Sequence, residues 1–229
     1  MNYYRIRHST DRKIVGKFTQ INEVKHRCRV DDKRFIDSVF FEKASFDPIT
    51  SIGILDKKAK ITDLISTSGQ GYTAKLLISG KLKSLIEIHQ KSGLEFFKSP
   101  IIYGEEELDD YWVMSPFETH PEFINYKDSH IQSRRRKAEG GTILVDLEVG
   151  SYCDFNELQK RERVDRNILQ VSKIKLIDNL EQDFFILRPL EGGFGYFVSE
   201  KMKDDMVAMN ITGVAFQPSH LTFNEWVAL

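Results

Sequence analysis

A self-similarity at a fixed offset of 120 residues constrains this chain more than any other feature it carries. Ile78-Ser79-Gly80-Lys81-Leu82-Lys83 aligns with Val198-Ser199-Glu200-Lys201-Met202-Lys203. The register continues without a gap to Ser92-Gly93-Leu94-Glu95-Phe96 over Thr212-Gly213-Val214-Ala215-Phe216. Among the 19 positions from 78 to 96, five are identical: Ser79/Ser199, Lys81/Lys201, Lys83/Lys203, Gly93/Gly213 and Phe96/Phe216. Composition alone gives roughly one or two. The same offset pairs Asp63 with Asp183.

Each segment predicts strand, helix, turn, strand. Leu76-Leu77-Ile78 and Tyr196-Phe197-Val198 are short apolar runs of strand type. Ser79 and Ser199 follow where an N-cap belongs, each with a side-chain oxygen for a free backbone N–H. Leu82, Leu85, Ile86 and His89 share one helix face, as do Met202, Met206 and Met209. At helical spacing the Met stripe predicts core packing rather than a thioether metal site, and His89 predicts a partly buried packing residue. Gly93 and Gly213 stand where a helix end needs positive φ. The expected fold class is α+β, a mainly antiparallel or mixed sheet with two pseudo-repeated strand–helix–strand units at 62–98 and 182–218. A single domain over 1–229 is expected, because no composition shift marks a linker.

The remaining chain reads mostly as strand. Thr142 to Val149 alternates, with Ile143, Val145, Leu147 and Val149 on one face. Phe184-Phe185-Ile186-Leu187 and Tyr196-Phe197-Val198 flank a glycine-rich turn and predict a hairpin. Ser51 to Ile61 predicts a second hairpin around Asp56-Lys57. Residues 115–141, polar and proline-containing, predict a long connection.

Charge excludes whole-molecule fields: 33 Lys plus Arg stand against 34 Asp plus Glu. Electrostatic recognition must therefore come from local patches. Met1-Asn2-Tyr3-Tyr4-Arg5-Ile6-Arg7 has no apolar signal region, and no run reaches the roughly 18 apolar residues of a membrane span. Cys28 and Cys153 belong to no Cys-x-x-Cys pair and predict free thiols in a reducing compartment. The expectation is a cytoplasmic protein without membrane contact.

Motifs for chemistry are sparse. Gly192-Gly193-Phe194-Gly195 lacks the Lys and Ser/Thr of a phosphate loop and leads into a strand. His8, His26, His89, His120, His130 and His220 form no metal-ligand pair, so neither metal nor cofactor is expected. No Gly-x-Ser-x-Gly elbow or flanked nucleophilic cysteine occurs. Two charge blocks remain: acidic Glu105-Glu106-Glu107-Leu108-Asp109-Asp110 and basic Ser133-Arg134-Arg135-Arg136-Lys137. Each reads either as solvated loop charge or as a partner-binding patch. The basic block lacks the interleaved aromatics of a single-strand nucleic-acid platform.

Val198-Ser199-Glu200-Lys201-Met202 followed by Thr212-Gly213-Val214-Ala215-Phe216-Gln217-Pro218 resembles the C-terminal signature of one family of bacterial immunity proteins. That family is encoded beside polymorphic and contact-delivered toxins. Ala59-Lys60-Ile61-Thr62-Asp63-Leu64-Ile65-Ser66, with Leu77 to Leu82, resembles its earlier segment. Tyr111-Trp112-Val113-Met114, followed by Asn125-Tyr126-Lys127-Asp128-Ser129, resembles its middle one. The resemblance spans about residues 59–218 and departs at Asn125, where Asp is expected, and at Gly80, where Glu is expected. It implies a non-enzymatic protein that neutralises a cognate protein toxin by stoichiometric binding. The candidate contact residues are Glu105, Glu106, Glu107, Asp109 and Asp110, facing a cationic toxin surface. Two rivals stand beside it: an enzyme whose site is dispersed in sequence, and a nucleic-acid or nucleotide binder using residues 134–137.

Overall fold

The computed structural model describes residues 2–229. In chain order it contains β1 (Tyr3–His8), α1 (Arg12–Val15), β2 (Ile21–Lys25), β3 (Ile52–Leu55), β4 (Leu64–Ile65), β5 (Leu76–Ser79), α2 (Gly80–His89), β6 (Leu94–Lys98), β7 (Ile101–Tyr103), β8 (Glu106–Leu108) and β9 (Tyr111–Pro116). There follow β10 (His130–Arg136), β11 (Thr142–Leu147), α3 (Tyr152–Val164), β12 (Ile168–Lys173), β13 (Phe184–Leu190), β14 (Gly193–Ser199), α4 (Glu200–Ala208), β15 (Val214–Pro218) and α5 (Phe223–Val227). The fold is α+β. Its sheets are mainly antiparallel, with parallel pairings at β3–β7 and β12–β13. No described helix is long and apolar enough to cross a membrane.

The chain divides into two compact units. One comprises Met1–Arg5, His120–Glu200 and Gln217–Leu229, the other Ile6–Thr119 and Lys201–Phe216. Each is assembled from separated segments. No single cut in sequence parts them, which is why composition shows no boundary between them.

The unit of Ile6–Thr119 and Lys201–Phe216 holds two four-stranded sheets, ordered β2-β3-β7-β8 and β4-β5-β9-β6. Ile21, Leu77, Ile101 and Val113, from both sheets, are almost fully buried in one cluster. Ser79 caps α2: its Oγ accepts from Leu82 N at 3.2 Å and donates to Asp63 Oδ1 at 2.7 Å. Leu82, Leu85 and Ile86 form the buried face. In α4, Met202 and Met206 are buried, whereas Met209 is 39% exposed. Asp63 Oδ2 accepts from Thr212 N at 2.8 Å and from Thr212 Oγ1 at 2.9 Å.

In the other unit, β11-β10-β12-β13-β14 form consecutive strands of a seven-stranded sheet whose order ends in β1 and β15. One face packs Ile131, Val171, Phe185, Leu187 and Phe197 against Phe155 of α3 and against Phe123 and Tyr126. The β13–β14 hairpin turns through Gly192 and Gly193 at φ +80° and +95°.

Several local contacts recur at the 120-residue offset. Ser79 N donates to Asp63 O, and Ser199 N to Asp183 O, both at 2.8 Å. Ser199 Oγ donates to Asp183 Oδ1 at 2.6 Å, as Ser79 does to Asp63. Leu64 pairs with Ile78, and Phe184 with Val198. Gly93 and Gly213 both have φ +81°.

Two sequence expectations are overturned. Ser51–Ile61 is not a hairpin: β3 pairs with β2 and β7, and the residues after Asp56 leave the sheet as Lys60 N donates to Val15 O. Residues 115–141 are not a bare connection either. They contain β10 and two 3-10 turns, Pro121–Phe123 and Tyr126–Asp128. The strand was hidden because two of its inward positions, Ser133 and Arg135, are polar and meet a buried carboxylate.

Candidate interaction surface

The acidic block lies on a hairpin. β7 and β8 pair antiparallel as Ile101↔Leu108, Ile102↔Glu107 and Tyr103↔Glu106. Gly104-Glu105 forms the two-residue loop, and Gly104 takes φ +64°, the sign such a loop favours at its first position. Ile101 is fully buried, and Leu108 packs partly against the same core. Burying one side chain of that size contributes about 2 kcal/mol and anchors the base of the hairpin.

Glu105, Glu106, Glu107 and Asp109 are exposed, and none has a side-chain hydrogen bond or ion pair among the described residues. Strand alternation separates them: Glu106 shares a face with Tyr103, and Glu107 lies on the opposite face with Ile102. The tip is thus ringed with negative charge rather than charged on one side. Asp110 is engaged differently. Its carbonyl accepts from Gly80 N at 2.9 Å, and its Oδ1 accepts from Trp112 Nε1 at 3.3 Å.

The basic block is divided by its strand. Arg135 turns inward and binds Glu162 of α3 through both arms, Nη2 to Oε1 at 2.6 Å and Nε to Oε2 at 3.2 Å. Ser133 Oγ also donates to Glu162 Oε2. Burial pushes the Glu162 carboxyl up, but donors from Arg135, Ser133 and Asn167 together hold it below its ordinary value. Arg134 and Arg136 alternate to the other face and are exposed. The four cations therefore do not form one phosphate-binding row.

Sequence reading missed two concave places. In the unit containing α2, Lys83 Nζ lies 4.8 Å from the Trp112 ring centre and 5.1 Å from that of Phe96, and Lys98 Nζ lies 5.7 Å from Trp112. Lys83 and Trp112, with Gly80, Lys81, Ser84 and Asp110, line a cleft of about 400 Å³. In the other unit, Tyr4, Lys175, Asp178, Glu181 and His220 help line a cleft of about 720 Å³. Among the described residues no side-chain hydrogen bond links Lys175, Asp178, Glu181 and His220 to one another. Neither cleft was legible, because their walls come from segments remote in sequence. No protein-family model matches this chain, and no curated protein matches it.

Proposed function

We propose that this protein neutralises an antibacterial toxin by binding it stoichiometrically, with the acidic hairpin tip in the contact. The observation that carries the reading is the set of exposed carboxylates at Glu105, Glu106, Glu107 and Asp109, which have no side-chain partner among the described residues. Like charges crowded on a short hairpin repel one another, and a cationic partner relieves that repulsion. Charges on an edge strand such as β8 also discourage sheet-to-sheet aggregation; Glu105 and Asp109 lie outside the strand, where that purpose does not require them. The resemblance to immunity proteins supports the choice of a toxin as the partner. In this reading the protein performs no chemistry: it blocks the toxin by occupying its surface.

The test is co-expression with the toxin encoded by the neighbouring reading frame. The wild type is expected to restore growth. A variant carrying Glu105→Ser, Glu106→Ser, Glu107→Ser, Asp109→Asn and Asp110→Asn, with an unchanged melting temperature, is expected to lose most of that protection. Full protection by the variant would move the contact elsewhere, and no protection by the wild type would remove the toxin reading.

A further inference from the structure

β11 leaves one edge of its sheet without a partner strand among the described residues. It is an outer strand of the seven-stranded sheet, and among the described strands it pairs only with β10. Other edges carry guards: Glu106 and Glu107 on β8, and Glu23 and Lys25 on β2. β11 reads Thr142-Ile143-Leu144-Val145-Asp146-Leu147, with Ile143 47% and Leu144 51% exposed. Lys137 N donates to Gly141 O at 3.2 Å, and the pairing continues as Arg136↔Thr142 through Ile131↔Leu147. Antiparallel alternation then turns the N–H and C=O of residues 141, 143, 145 and 147 toward β10 and those of Thr142, Leu144 and Asp146 outward.

We propose that two copies of this chain associate through these edges, antiparallel about a two-fold axis at Leu144. A continuous sheet requires paired residues to point to the same face, so only registers centred on a residue are allowed. Centring on Leu144 pairs Thr142 with Asp146 of the second copy, Leu144 with its own counterpart, and Asp146 with Thr142. All three outward backbones are then satisfied on each copy. Centring on Ile143 or Val145 satisfies only two.

The side chains agree with that register. Leu144 meets Leu144, and Ile143 meets Val145, so each exposed apolar residue of the strand faces another. Asp146 lies one strand beyond Thr142 from Arg136 of the other copy, within reach of an extended guanidinium. Asp146 Oδ1 is held by His130 Nε2 at 2.9 Å and Gln132 Nε2 at 2.8 Å. Its Oδ2, like the Arg136 guanidinium, has no partner among the described residues. The association is therefore isologous, with the same residues contributed by both copies.

Sedimentation velocity on the full chain tests this. A short edge contact belongs to the weak class of interfaces, so the scan runs from about 1 μM to about 500 μM. The wild type is expected to rise from one chain mass to two. Leu144→Arg, which brings two cations together at the axis, is expected to weaken association at least tenfold. Arg136→Asp and Asp146→Arg should each weaken it, and the double exchange should restore it. The proposal is overturned by a wild type that stays monomeric throughout, by a dimer indifferent to Leu144→Arg and to both single reversals, or by β11 amides that become protected only when a different protein is added.

Discussion

At the first turn of α2 a carboxylate arrives from Asp110, the residue before β9, whereas at the first turn of α4 it belongs to the helix itself. A Cβ at Gly80 would lie 2.1 Å from Asp110 Oδ1. At α4, Glu200 carries the carboxylate and Asn2 donates to it through Nδ2 at 3.2 Å and 3.3 Å. The backbone bonds agree, Gly80 N to Asp110 O and Glu200 N to Asn2 O, each 2.9 Å. Negative charge near a helix N-terminus is favourable in either arrangement. Gly80→Glu alone should destabilise the fold by about 1–3 kcal/mol through crowding and like charge. Combined with Asp110→Asn, which recreates the Glu200/Asn2 pair, it should show a favourable coupling of about 1 kcal/mol in a double-mutant denaturation cycle. Simple additivity would count against the equivalence. The two glycines at φ +81° also differ in surroundings. A Cβ at Gly213 would lie 2.2 Å from Leu64 O, a backbone atom, whereas at Gly93 the nearest atom is the flexible Glu118 Oε2 at 2.9 Å. Gly93→Ala should cost about 1 kcal/mol and Gly213→Ala about 2 or more, measured by chemical denaturation. The positive φ was legible from each glycine's place after an amphipathic helix; the tightness at Gly213 was not, because Leu64 is far away in sequence.

At the scale of elements, the tie between α3 and β10 shows where sequence patterns stop informing. Ile131, Ser133 and Arg135 alternate inward, but only Ile131 is apolar, so a hydrophobic period of two never forms. The inward Arg is satisfied by Glu162, whose side chain is 8% exposed. Arg135 is itself 38% exposed, so water compensates part of the charge that its removal would leave on Glu162. Arg135→Ala should therefore destabilise the fold by about 1–2 kcal/mol, and Arg134→Ala and Arg136→Ala by less than about 0.5 kcal/mol. Equal effects of the three, read from denaturation midpoints, would remove the distinction. By contrast β13–β14 was legible, since two apolar runs around paired glycines have few other solutions.

At the scale of the molecule, the sheet orders β4-β5-β9-β6 and β13-β14-β1-β15 place a remote strand inside each strand–helix–strand segment. Ser79 pairs with Tyr111, and Ser199 with Tyr3. Ser99 N donates to Tyr111 O at 2.9 Å, and Ser219 N to Tyr3 O at 3.0 Å. One unit used twice would give this arrangement, with β9 following the first segment and β1 preceding the second. A fixed offset exposes the contiguous part, but the inserted strands break that offset, which left Tyr3 and Tyr111 unconnected in sequence. The acidic block was legible as composition; its division over two hairpin faces, and the separate engagement of Asp110, required strand pairing.

The proposed contact between this charge and a cationic toxin is electrostatic and therefore sensitive to salt. The direct measurement is the association rate of the purified chain with the product of the neighbouring reading frame, followed in stopped flow as ionic strength rises from about 10 mM to about 500 mM, which shortens the screening length from about 30 Å to a few ångströms. The expected result is a one-to-one complex whose association slows steeply with salt, and a much flatter dependence when Glu105, Glu106, Glu107 and Asp109 are neutralised. No complex at any ionic strength, or a salt dependence unchanged by that neutralisation, would contradict it.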